Sequence, residues 1–121
     1  MIYGLSGGIR YYIYAPAADL RKGFDGLSGI VRNELLRDPL SGDAFIFINR
    51  RRNLLKLLVW DQNGFVIYYK RLESGTFEIP KRQIGSKSVV ISREELVMIL
   101  EGISLEKIKR RKRFLSTNFV N

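Results

Sequence analysis

Apolar residues recur along this chain with two different periods, and the change between them divides it. Leu20, Phe24, Leu27, Val31 and Leu35 stand four, three, four and four positions apart. That spacing predicts one stripe of an α-helix ending before Asp38-Pro39. Upstream, Ile9 to Tyr14 (IRYYIY) is rich in β-branched and aromatic residues and reads as a strand, closed by Pro16. Asp19 is then the expected helix N-cap. From Ala44 the period shortens. AFIFIN (44–49), LLKLLVW (54–60) and FVIYYKR (65–71) predict three strands, joined by Arg50 to Asn53 and by DQNG, where Asn63-Gly64 is a hairpin signal. An antiparallel meander follows. TFEIP (76–80) is expected to add a short edge strand that Pro80 ends, and SVVIS (88–92) one more.

Ser92-Arg-Glu-Glu95 has the form of a capping box and predicts a second helix, with Leu96, Ile99 and Leu100 on its apolar face and Gly102 just past its end. In the strand 54–60, Leu55, Leu57 and Val59 point one way, and Leu54, Leu58 and Trp60 the other, together with Lys56. A sheet with apolar residues on both faces needs cover on both. The expectation is a single α+β domain over residues 1–108, a mainly antiparallel sheet with the meander at its centre and two helices packed mainly on one face. Residues 109–121 then form a basic tail.

Inside the first helical stripe, Gly23, Gly26 and Gly29 recur every third position. Each glycine in a helix interior costs roughly 1 kcal/mol against alanine. On a helical wheel Gly23 borders the apolar stripe, where it suits a close approach to the sheet, while Gly26 and Gly29 leave bare backbone on the outer side. The competing reading is an irregular KGFDG turn with the helix beginning late, near Gly26. Arg21 and Lys22 in a first turn oppose the helix dipole. Asp25 could pair with Arg21, and a phosphate bound near Arg21, Lys22 and free backbone N–H groups would turn the penalty into a gain.

Charge sharpens the picture. Lys and Arg number 21 against 12 Asp and Glu, a formal charge of +9 on 121 residues. With 45% hydrophobic and 27% charged residues the composition is that of an ordinary globular chain, so the surplus points to a polyanionic partner. Arg50, Arg51 and Arg52 cluster at a predicted hairpin tip, with Lys56, Lys70 and Arg71 along adjoining strands and Tyr68 and Tyr69 between them. Guanidinium and ammonium groups contact phosphates, and aromatic faces stack on exposed bases. Lysine and arginine at strand edges also guard against aggregation, though a triple arginine exceeds that need. The run Lys109, Arg110, Arg111, Lys112 and Arg113 is a further, less specific, phosphate-binding candidate.

The chain has no Cys and no His, which excludes disulfides, thiolate metal sites and imidazole catalysis. Asp19, Asp25, Asp38, Asp43 and Asp61 form no close-spaced cluster on a predicted element, and no P-loop or dinucleotide fingerprint is present. No metal or cofactor is expected. The N-terminal stretch lacks the pattern of a secretory signal and no apolar run suffices for a membrane span, so a cytoplasmic protein is expected.

ADLRKGFDGLSGIV (18–31), RDPLSGDAFIFINRRRNLLKLLVWDQNGFVIYYKRLESGTFEIP (37–80) and LVMILEG (96–102) resemble the small second-reading-frame TnpB family of the sixty-six group of bacterial insertion sequences. Five ordered blocks carry the resemblance: RKGFDGL, the DP-x-SG turn, the arginine-rich hairpin, the WD-x-x-GF turn and KRLE-x-G-x-F. It implies a non-catalytic helper in transposition, encoded beside a separate transposase; DNA binding is the inference that the basic residues add. By motif match it marks Arg21, Lys22, Gly23, Phe24, Asp25, Gly26 and Leu27, then Arg51, Arg52, Lys56, Trp60, Asp61, Gly64, Lys70 and Arg71. At the hairpin, NRRRNLL is more basic at its tip than the family pattern, which usually has a small residue there. A protein-interaction module using exposed apolar sheet faces and Tyr11, Tyr12 and Tyr14 is the alternative. RNA stands beside DNA as a partner, since charge does not separate them.

Overall fold

The computed structural model describes residues 8–81 and 85–102, and the tail from Lys109 to Arg113 lies outside them. Among the described residues the elements are β1 (Tyr11–Tyr14), α1 (Phe24–Asn33), β2 (Ala44–Ile48), β3 (Leu54–Asp61), β4 (Gly64–Arg71), β5 (Ser88–Ile91) and α2 (Arg93–Leu100). They build a five-stranded sheet in the order β4-β3-β2-β1-β5. The meander β2-β3-β4 is antiparallel, as expected, and β5 also runs antiparallel to β1. One pair departs from this. β1 lies parallel to β2, with Tyr12 opposite Phe45. Parallel neighbours need a crossover, and α1 supplies it. The class is α+β, with a mixed, mostly antiparallel sheet.

The helices do not share a face. Strand alternation sends Ile13, Ile46, Ile48, Leu55, Leu57 and Val59 to one side, where Leu96 and Ile99 of α2 cover them with Phe77. Tyr12, Tyr14, Phe45, Phe47 and Leu58 go to the other, under Leu27, Ile30 and Val31 of α1. The expectation that both helices pack mainly on one face is corrected by this arrangement. The reason is physical: two apolar faces demand two covers, and one helix serves each. Tyr12 stacks on Phe45 with ring centroids 5.6 Å apart. Tyr14 donates a hydrogen bond to Glu34 Oε1 at 2.7 Å, tying β1 to the end of α1. Burial and then that bond push the Tyr14 phenol up to about 12.

Several boundaries shift for local reasons. α1 begins at Phe24, with Gly23 as an N-cap that offers no side-chain bond. Asp19 is not the cap. Its Oδ1 instead accepts the Arg21 N–H at 3.0 Å, closing a turn two residues on. Leu20 is buried from that turn, so it extends the helical spacing without being helical. Residues 76–80 form no strand. Phe77 is fully buried and its N–H donates to the Arg52 carbonyl at 2.7 Å, so the segment tucks beneath the hairpin. The capping box is complete: Ser92 Oγ accepts the Glu95 N–H at 3.1 Å, and Glu95 Oε1 accepts the Ser92 N–H at 3.0 Å. Gly102 follows the end of α2 at φ +73°, the left-handed geometry that favours glycine there.

Candidate nucleic-acid interface

The β2–β3 hairpin is fastened by one amide. Asn49 Oδ1 accepts the N–H groups of Asn53 and Leu54, both at 3.0 Å, while its Nδ2 donates to Asn53 Oδ1 at 2.8 Å. The Arg52 N–H donates to the Asn49 carbonyl at 3.0 Å. Backbone needs are thus met at the base of the loop, and Arg50, Arg51 and Arg52 all stand exposed. No carboxylate among the described residues lies within ion-pairing distance of them or of Lys56. Arg52 adopts φ +58°.

The RKGFDGL block comes to the same corner. Lys56 projects from β3 toward the turn before α1 and donates from Nζ to the Lys22 carbonyl at 2.9 Å. The same ammonium lies 4.8 Å from the centre of the Tyr69 ring on β4, its register partner. Arg21 meets Asp19 at 2.8 Å. Asp25 is therefore not its partner, since the turn brings Asp19 closer. Hydrogen bonds from the Arg21 side chain and then its backbone N–H hold the Asp19 carboxyl down at about 2. Ala18, Asp19, Leu20, Arg21, Asn49, Arg50, Arg51, Leu54 and Tyr69 line an open depression of about 370 Å³. Two blocks separated by nearly thirty residues in the chain thus share one concave surface.

The glycines now separate. A Cβ at Gly26 would stand 2.9 Å from Lys22 Cβ, so this glycine lets the stem of Lys22 lie against α1. Gly23 and Gly29 would meet nothing within 4 Å, and a close approach of Gly23 to the sheet is thereby corrected. Phe24 is 49% exposed and Leu27 fully buried. Asp25 lies in the first turn of α1, where a carboxylate favours the helix dipole.

Other predicted residues go elsewhere. Lys70 pairs with Leu55 in the register and so lies on the opposite face, where Nζ donates to the Leu100 carbonyl at the end of α2. A cation at a helix C-terminus is a favourable placement. Arg71 is exposed and pairs with Glu73 at 3.0 Å. Tyr68 packs partly buried against the α2-side core, leaving Tyr69 as the exposed ring of the two, at 54%. Trp60 packs edge-on against Phe65 at 5.1 Å, and Asp61 pairs with Gly64 around the loop Gln62-Asn63. That turn lies at the far end of β3 from the arginines, roughly 25 Å away at ~3.3 Å per residue.

Sequence reasoning missed Asn49, whose position before the arginine run was a turn signal in itself, and Asp19 as a partner of Arg21. It also missed Arg37, whose guanidinium sits 4.1 Å over the Tyr12 ring. The carboxylates serve local structure: Asp38 Oδ1 accepts the Leu40 N–H at 2.9 Å, and Asp43 Oδ1 the Arg10 N–H at 3.0 Å. No three acidic groups gather as a metal site among the described residues. No helix among them is long and apolar enough to cross a membrane.

Comparison with known proteins settles the lineage. The family described as IS66 Orf2 like protein, TnpB, matches residues 9–110. The chain belongs to this insertion-sequence family. It is 34% identical over 108 residues to the uncharacterized protein y4jC of Sinorhizobium fredii, covering 89% of this chain and 91% of that one. The uncharacterized protein y4hO of the same organism is 35% identical over 95 residues, covering 78% and 81%. No solved structure matches the chain.

Proposed function

We propose that this TnpB-family chain is a non-catalytic accessory protein of insertion-sequence transposition. It binds DNA through a basic corner and assists the separate transposase. The contacts come from Arg50, Arg51 and Arg52 at the hairpin tip, with Arg21, Lys22 and Lys56 beside them. Arg71 and the run Lys109–Arg113 extend the same reading. One observation carries it: the arginine hairpin and the RKGFDGL block meet at one corner, where no described carboxylate pairs with the hairpin arginines. Hairpin arginines with no acid partner among the described residues, set on one concave surface, form the electrostatic footprint of a phosphate backbone. Lys70 stays outside this set, because the register puts it on the opposite face of the sheet, at the end of α2.

A salt titration of binding to a 20-base-pair duplex tests the proposal. Log affinity falls linearly with log salt, with a slope of about −0.9 for each phosphate neutralised. Replacing Arg50, Arg51 and Arg52 together by Ala is expected to flatten the slope by about 2 to 3 with the fold intact. An unchanged slope sinks the proposed surface. Weak duplex binding alongside salt-insensitive capture of the transposase would favour the protein-docking alternative.

A further inference from the structure

Resting on the DNA-binding reading, the geometry points to something narrower: we infer that the depression at the corner receives one unpaired nucleotide of a DNA strand. Its base would lie against Tyr69 and its phosphate against Arg50 and Arg51. The lining has two characters that a nucleotide unites and few other ligands do. Ala18, Leu20, Leu54 and the ring of Tyr69 provide apolar and aromatic surface, which suits a flat base. Arg21, Arg50 and Arg51 surround them with guanidinium groups, which suit a phosphate.

At about 370 Å³ the depression sits at the small end of ligand pockets, room for a single nucleotide. A paired base in intact duplex is stacked on both sides and does not reach such a site. Tyr69 is held ready for stacking. It is 54% exposed, and Lys56, whose ammonium is fixed on the Lys22 carbonyl, lies 4.8 Å from its ring centre. Within the depression Arg21 is already paired to Asp19, so the free phosphate contacts fall to Arg50 and Arg51.

The experiment measures affinity of the full chain for a 12-nucleotide oligothymidylate, the matching duplex and oligouridylate, using wild type, Tyr69→Ala and Tyr69→Phe. Single-stranded DNA is expected to bind more tightly than duplex at equal salt. Tyr69→Ala is expected to weaken single-strand binding about tenfold, leave duplex binding unchanged, and be rescued by Tyr69→Phe, which keeps the stacking face. Equal losses on single strand and duplex, or no loss at all, overturn the nucleotide site while leaving DNA binding standing. Tighter binding of oligouridylate overturns the assignment to DNA. Absence of binding to every probe at low salt removes both this inference and the reading beneath it.

Discussion

β3 carries a hairpin at each end, and the two are built for different purposes. At its start, the loop from Asn49 to Asn53 holds three exposed arginines over a base tied by a single asparagine. At its end, Gln62-Asn63 closes a short turn beneath the edge-on pair of Trp60 and Phe65. Both turns use one non-glycine residue in the left-handed region, Arg52 at φ +58° and Gln62 at φ +54°. The backbone device is shared, while the side chains are not. One end devotes its loop to exposed charge without an ion-pair partner among the described residues, and the other to packing. Turn geometry alone therefore does not announce a binding surface; the company of the side chains does.

Breaking the packed end should have the largest effect. Trp60→Ala removes an aromatic pair and a half-buried indole, with an expected loss of about 2 kcal/mol in denaturant unfolding. DNA affinity, measured under conditions where the variant is folded, should stay at the wild-type value. A parallel loss of affinity would mean that the two ends are not independent.

The shared backbone device allows a sharper test. Arg52→Gly and Gln62→Gly each relieve a left-handed side chain, and each should stabilise by about 1 kcal/mol. Only Arg52→Gly should also flatten the salt dependence of DNA binding, by about 0.9. If the two variants behave alike in binding, the contrast between the hairpins fails.

The smallest effect is a titration. Arg21 depresses the folded-state pKa of Asp19 from 3.8 to about 2. The pair's contribution to stability is thus fully present above pH ~4 and is lost as pH falls from there toward about 2. A carboxyl-carbon titration by NMR should place the Asp19 midpoint near 2. In Arg21→Gln it should return toward the ordinary aspartate value, and a midpoint that does not move would deny the pairing.

Much of the frame was legible in the sequence because it rests on local rules. Short apolar runs set off by turn signals located β2, β3 and β4, and Ser92 with Glu95 announced α2 to the residue. The parallel pairing of β1 with β2 was not legible, since an apolar run marks a strand without naming its neighbour. Leu20 extended the helical spacing from a turn, which moved the predicted helix start upstream. The site was half legible. The arginine run and the RKGFDGL block could each be named, but their meeting depends on Lys56 reaching the Lys22 carbonyl across the fold. Lys56 and Lys70 looked equivalent until the register set Lys56 beside Tyr69 and Lys70 on the reverse side.

Gly26 has a reach longer than its own surroundings. Its missing methyl leaves room for the stem of Lys22, whose carbonyl anchors Lys56, whose ammonium in turn sits against Tyr69. The smallest residue in the helix thereby sits at the start of a linkage, through the Lys22 backbone and the Lys56 side chain, that ends at an aromatic ring it never touches. A glycine at this position acts as a spacer of zero thickness, and thickening it would be transmitted outward to the rim of the corner.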